Sequence, residues 1–325
     1  MQDMAAWTSN QEQYSALKFQ LGSTQPYQLP TDVLEMNRLG LQHRLWFLMI
    51  GGLYPTYIAD ALQGIMKENA HPAVADVGCG SAIWAMEMAR LFPQSEVVGF
   101  DLNEQTYPEA PKNFQFKQCD LSKGLPEIQS ATFDVIHCRC VVQHVSNPLG
   151  LISVIADALK PGGILLLADG DWVAFDEDRR PLIPFIYNPA INEQERHNSG
   201  QPGSSFYAGW LHLMGKITRS PFYRPIDQTL LQHGGFVDVF AQNYFSPINW
   251  SGRDLENGTE MGAIMNQNMK AFFRNSTEAA IRSGVASSMI PIWEEEYLKE
   301  FDSRRYNIWH YATARKMGIS TELEK

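Results

Sequence analysis

Two hydrophobic periods run along this chain, and the change from one to the other marks its organisation. Residues 1–30 are polar with scattered aromatics and close in PYQLP. From there Leu34, Leu41, Leu45 and Leu48 recur on one helical face. Asp32, with Glu35 three positions on, forms a capping box for that helix. A second helix follows Pro55, a residue suited to a first turn, with Ile58, Leu62 and Ile65 as its apolar stripe. At residue 73 the pattern becomes short apolar runs separated by helical stretches. Strands are predicted over 73–78, 95–102, 114–121, 132–140 and 163–169, with helices over 81–92 and 149–160. Apolar strands joined by helices predict a parallel sheet with right-handed crossovers. The alternation stops beyond 170. It resumes with a helix over 226–236, a strand over 237–245, helical sequence over 253–300 and a last strand over 306–316. The fold class expected is α/β, with an N-terminal helical cap and helical insertions after strands 5 and 6.

Composition narrows the partners. With 44% hydrophobic and 19% charged residues among 325, the chain is ordinary globular material, large enough to bury a core. A net charge of −10 leaves no basic footprint for a phosphate backbone, so no nucleic acid is expected. The most apolar stretches, 45–54 and 162–169, fall far short of a membrane span, so no membrane is expected either. The N-terminus has no basic segment leading into an apolar run. The cysteines at 79, 119, 138 and 140 lack CxxC spacing and read as reduced thiols, with Cys138 and Cys140 on one face of a buried strand. A cytoplasmic protein is expected, with the nucleus left open.

The candidate chemistry starts at DVGCGSAIWAMEMAR, residues 76–90. A glycine pair between strand and helix serves packing as readily as binding. Three features favour binding. The loop has no Lys-Ser/Thr of a P-loop, and Ile83 stands where a dinucleotide fingerprint needs its third glycine. Asp76, at the end of the first strand, would repel a pyrophosphate and welcome an ammonium or sulfonium. S-adenosylmethionine carries both cations, and its own carboxylate is expected on the glycine-loop amides around Gly78, Cys79 and Gly80. Asp101, with Leu102 beside it, ends the second strand where a carboxylate can accept both ribose hydroxyls. Asp120 ends the third and can accept from the adenine amine, with Leu121 giving an amide and an apolar wall.

DVGCGSA, VVGFDLN, QCDL, FDVIHCRCVVQHV and LKPGGILLLAD together resemble the ordered motifs of class I S-adenosylmethionine-dependent methyltransferases over residues 72–170. YQLPTDVLEMNRLGLQHRLW resembles the segment before the core in the LaeA-like methyltransferases of filamentous fungi, regulators and tailoring enzymes of secondary metabolism. The resemblance implies a Rossmann-like, mostly parallel sheet of seven strands with the last antiparallel. It implies 1–70 as a helical cap, 71–170 as the cofactor-binding core, and 171–325 as substrate-side insertions completing the same sheet. It also places Tyr27 over the methionine end of the cofactor. Independently of the resemblance, His43 in the same cap is a further candidate for closing there, and Cys138 is a further cofactor candidate. Ala82 stands where the family writes a third glycine, a replacement expected to cost little.

For the acceptor, His144 in RCVVQHVSNP is the candidate base, or else it packs or caps the next helix. Arg139 is the second catalytic candidate, facing substrate or holding the loop. Asp169 and Asp171 could coordinate a divalent metal, orient an amine or belong to a solvated loop; the solvated loop is expected, and no metal. His310 is expected as a core residue with a satisfied hydrogen bond. Trp172, Phe175, Tyr187, Phe206, Tyr207, Trp210, Phe222 and Tyr223 either line an aromatic pocket or fill a helical lid, and 259–273 carries methionines and phenylalanines at helical spacing. Arg38 and Glu35 are expected to pair on one helix face. The function expected is methyl transfer to oxygen or nitrogen of an apolar or aromatic small molecule. The alternatives are a regulator acting through a protein partner, or a cofactor-bound catalyst of a rearrangement that methylates nothing. A homodimer through residues 34–54 is the alternative to those helices folding back on their own core.

Overall fold

The computed structural model describes residues 32–103, 106–121, 130–145, 147–188, 203–218 and 226–318. Tyr27, Phe222 and Tyr223 lie outside them. Helix α1 (Val33–Ile50) starts at Asp32, whose carboxylate accepts the Glu35 amide at 2.9 Å, and stops at Gly51, which turns left-handed at φ 81°. The capping box is only half formed. Glu35 is drawn instead into a buried bidentate pair with Arg38, at 2.8 and 2.6 Å. Leu45, Trp46 and Ile50 are buried in the chain's own core, so the helix folds back on its own body. Leu34, expected on that inner face, sits at its N-terminal rim and is 46% exposed. A 3-10 turn after Pro55 leads into α2 (Ala59–Glu68), which buries Leu62 and Met66.

The sheet follows as β1 (Ala73–Val77), α3 (Ile83–Leu91), β2 (Glu96–Asp101), β3 (Phe114–Gln118), β4 (Phe133–Arg139), α4 (Pro148–Ala158) and β5 (Leu159–Phe175). Then come α5 (Phe206–Ile217), α6 (Ile226–His233), β6 (Phe236–Ile248), α7 (Gly258–Arg282), α8 (Met289–Lys299) and β7 (Arg305–Lys316). Seven strands lie in the order β3-β2-β1-β4-β5-β7-β6, with β7 antiparallel to both of its neighbours. Apolar clusters cover both faces, which is why β1 and β4 read as nearly unbroken hydrophobic runs. The chain leaves β1 toward β2 on one side and returns to β4 on the other. The ends of these strands therefore open into a crevice at the point where strand order reverses.

Two local expectations are corrected. β5 does not end at 169 but runs on to Phe175, because β7 keeps pairing with it through Ala174 and Asn307 beyond an irregularity after Gly170. Asp169 and Asp171 are therefore strand residues and not part of a loop. Cys138 and Cys140 also do not share a face. The strand ends at Arg139, Cys140 takes a left-handed φ of 57°, and it turns toward the opposite apolar cluster from Cys138.

Most of the aromatic stretch is lid core. Trp210, Phe185 and Phe206 gather round Trp293 at ring separations of 5.2, 5.4 and 6.4 Å, and the Trp293 indole donates to the Phe206 carbonyl. Tyr187 lies tilted against the same indole, Tyr207 donates to Asn307, and Phe175 packs on Phe245.

Candidate functional site

Gly78 and Gly80 turn the chain sharply between β1 and α3 at φ 73° and 51°. A Cβ at Gly78 would stand 2.3 Å from Val141 Cγ2, so the bare backbone there lets the turn close against the segment after β4. Ala82 also takes a left-handed φ, 53°, where alanine costs about 1 kcal/mol. The replacement is thus dearer than the sequence suggested, and its buried methyl offsets only part of that cost.

The loop amides expected to receive a ligand carboxylate are already used. Gly78 and Cys79 both donate to the Phe100 carbonyl at 2.8 and 3.0 Å, and Ala82 donates to Cys79 O at 2.8 Å. Gly80 donates to Asp101 Oδ2 at 2.9 Å. These bonds hold the turn in shape and so shape the crevice, with Ser81 also lining it.

Around it opens a cleft of about 1050 Å³. Asp76, Gly78, Cys79, Gly80, Asp101 and Leu102 line it from β1 and β2, and Asp120 and Leu121 line it from the end of β3. Cys138 does not. It is fully buried in the cluster beneath the sheet. Burial pushes the Asp101 carboxyl up while the amides of Gly80, Asn103 and Leu102 pull it down. Burial also holds the Cys79 thiol well above its ordinary range, helped by the nearby Asp76 and Asp101 charges, so it is no nucleophile. The Tyr107 hydroxyl donates to the Gly80 carbonyl at 2.9 Å and pins the turn from outside.

Asp76 has a partner that the sequence reading missed. His137, opposite it in the β1–β4 register, lies 2.8 Å from its Oδ1 and stacks on Trp84 at 3.8 Å. A carboxylate only accepts, so the imidazole donates from Nδ1. Burial lowers the His137 pKa against the opposing pull of Asp76. A signal was present, since a lone histidine within an apolar strand next to a strand bearing one acid is a pair in waiting.

A second cleft of about 560 Å³ adjoins the first. Leu39, Gln42, Cys140 and His144 line both. Its far walls are Trp172, Leu211, Met269, Phe272 and Trp309, with Arg38, Asp171 and Asn307 among the polar groups. Arg38 also donates to Asn268, and Glu35 accepts from Asn275, so the buried pair fastens α1 to α7 over this cleft. Asp171 faces His310 at 3.3 Å. His310 is partly exposed and is not the core residue expected, but it is bonded on its other side to Asn243 at 2.8 Å.

His144 sits in a 3-10 turn (Val142–His144) on the shared wall. It does not cap the next helix, since Asn147 does, accepting the Gly150 amide at 2.9 Å. Burial, with Arg38 nearby, lowers its pKa to about 4, so the ring is neutral. Asp169 anchors this turn by accepting the Gln143 amide at 3.1 Å, and burial raises its carboxyl to about 7. Arg139 lines the first cleft only. His43 stands behind Arg139 and does not line either cleft.

The first cleft fits S-adenosylmethionine on three counts. It has acceptors at the ends of β1, β2 and β3, apolar walls at Leu102, Leu121 and Val141, and a turn at Gly78 that closes on Val141 only because no side chain stands there. Residues 50–211 match the family described as "Methyltransferase domain". The chain is 27% identical over 285 residues to the secondary metabolism regulator laeA of Coprinopsis cinerea, covering 85% of this chain and 65% of that one. It is 30% identical over 161 residues to the methyltransferase str2 of Strobilurus tenacellus, covering 49% and 54%. It is 26% identical over 247 residues to the methyltransferase pytC of Aspergillus terreus, covering 74% and 67%. The chain thus spans less than two thirds of the length of the first two relatives. Among the described residues no helix is long and apolar enough to cross a membrane.

Proposed function

The chain belongs to the class I S-adenosylmethionine-dependent methyltransferases, and from that premise we propose that it methylates an oxygen or nitrogen of a flat, apolar small molecule held in the second cleft. The observation that carries this reading is that the two clefts adjoin, with Leu39, Gln42, Cys140 and His144 lining both. A ligand filling the first would present its reactive end to the second.

S-adenosylmethionine, when bound, supplies a methyl group on a good sulfonium leaving group. What remains for the protein is placement and the exclusion of water. Asp101 and Asp120 would hold the ribose hydroxyls and the adenine amine, and Asp76, oriented by His137, the ammonium. Trp172, Phe272 and Trp309 would press an aromatic acceptor flat, with α1 closing above it. His144, neutral at physiological pH, would accept a hydrogen bond from an acceptor hydroxyl and receive its proton as the oxygen is alkylated.

Calorimetry tests the first half of this reading. Wild type should bind S-adenosylhomocysteine at micromolar affinity, and Asp101→Ala should weaken it by roughly 100-fold, the scale of charged hydrogen bonds. A panel of phenols and amines tests the second half by the mass of one added methyl group. Tight cofactor binding with no methylated product from any of them would count against a small-molecule acceptor. It would favour the second reading, a regulator acting through a protein partner, which the likeness to the laeA protein over 85% of the chain supports.

A further inference from the structure

Arg139 closes β4 and lines the first cleft beside Asp76 and Gly78. Its Nη2 lies 3.1 Å from His43 Nδ1, and His43 Nε2 lies 3.1 Å from Glu87 Oε2. A guanidinium can only donate, so His43 accepts at Nδ1, carries its proton on Nε2 and donates to Glu87. The histidine is neutral, brought down to about 3 by burial and by the adjacent Arg139. Among the described residues no carboxylate stands within ion-pair distance of Arg139. A neutral ring therefore separates its charge from that of Glu87. Four of its five N–H groups make no hydrogen bond to the described residues.

A partly buried cation that borrows its neutralisation through a histidine is a poor structural choice unless an anion arrives from elsewhere. The cleft points to which anion. The amides of Gly78, Cys79, Gly80 and Ala82 are already bonded to Phe100, Asp101 and Cys79, so a carboxylate would have to displace those acceptors to use them. Asp76 and Arg139 line the same wall with opposite charges, the complement of the ammonium and carboxylate of an α-amino acid. Arg139 does not line the second cleft, so it does not face an acceptor held there. An arginine also cannot serve as the base that an acceptor hydroxyl would need.

We infer that Arg139 binds the α-carboxylate of the cofactor, and that His43 and Glu87 are the residues that position it. This rests on the proposed function and narrows it. The protein reads the amino-acid end of its ligand by charge, and Arg139 leaves the catalytic list.

The test is a binding cycle between protein and ligand, read by calorimetry without turnover. S-adenosylhomocysteine is compared with S-adenosyl-3-thiopropylamine, which keeps the amine and lacks the carboxylate. Wild type should prefer the former by roughly 10- to 100-fold, as expected for a charged bidentate contact. In Arg139→Gln the preference should shrink to within about threefold, while affinity for the decarboxylated ligand stays near the wild-type value. Arg139→Lys keeps the charge but not the fork, so it should fall between the two and guards against a variant that does not fold. Glu87→Gln, on the partly exposed α3 surface, should lower the preference a few-fold. An unchanged preference in Arg139→Gln or Arg139→Lys would overturn the assignment while leaving the cofactor reading intact. Failure of wild type to bind S-adenosylhomocysteine would overturn both.

Discussion

The two clefts are built by opposite strategies. Apart from Met36, Leu39 and Gln42 of α1, the first takes its lining from the ends of the strands and the segments just after them: 76–81 at β1, 101–103 at β2, 120–121 at β3 and 137–145 at β4. The sheet puts those segments side by side whatever their side chains are. The second is assembled from α1, the turn after β4, β5, α5, α7 and β7, residues as far apart as Arg38 and Trp309, and its longest contiguous piece is the three residues 170–172. Backbone topology determines one cleft, and side-chain packing determines the other. The first therefore tolerates few substitutions at a few places, while the second can be recut by exchanging bulky residues. This suits a common cofactor joined to a particular acceptor.

The largest effect that separates the two strategies is expected at Gly78. Gly78→Ala puts a methyl group 2.3 Å from Val141 Cγ2 on a backbone at φ 73°. The clash and the left-handed strain together should cost roughly 2–4 kcal/mol. Binding of S-adenosylhomocysteine should drop below detection. Adding Val141→Ala removes the clash but not the strain, so the double variant should recover part of the stability and little of the affinity. Wild-type affinity in Gly78→Ala would break the claim that backbone shape dictates the first cleft.

The sequence was informative to the same uneven degree. Apolar runs ending in Asp76, Asp101 and Asp120 can be read without coordinates, because a parallel sheet places strand ends together and a charge at the end of an apolar run stands out. The parallel core and the antiparallel last strand were both expected and are both found. His137 was hidden because its partner is sixty-one residues away across a strand register, and only the pairing of β1 with β4 brings them within 2.8 Å. The length of β5 was hidden as well. Asp169, Gly170 and Asp171 have loop composition, and β7, more than a hundred residues later, keeps them in a strand. The second cleft was legible only as an excess of aromatics. Nothing local tells Trp172, which faces the cleft, from Tyr207, which is buried in the lid.

A middle-sized effect is expected in the cleft proposed to hold the acceptor. Phe272→Leu trims one wall of the second cleft at a position only 7% exposed. Once an acceptor is in hand, its KM should rise by about tenfold, the scale for lost apolar contact in a pocket. Affinity for S-adenosylhomocysteine should be unchanged, because Phe272 does not line the first cleft. Equal loss in both measurements would mean the two clefts are a single packing unit, and the contrast between them would fail.

The smallest effect concerns acid, and it arises on the cofactor side and the shared wall. His43 and His144, at about 3 and 4, resist protonation in the fold, while the unfolded chain takes up those protons near 6.5. As pH falls from 6.5 toward 4 the unfolded state binds more protons, so stability is lost, by at most ~1.4 kcal/mol per pH unit for each group. Asp169 acts in the opposite sense. With its carboxyl at about 7 in the fold and 3.8 in the free residue, the folded state binds the extra proton between those values, and acidification stabilises it. Wild type should therefore lose a few degrees of Tm between pH 6.5 and 5, with Asp169 cancelling part of the histidine loss. Asp169→Asn removes that cancellation, so its Tm should fall more steeply over the same interval whatever its value at pH 7. A shallower fall would place the acid-sensitive groups elsewhere, and the shared wall would lose its distinct electrostatic character.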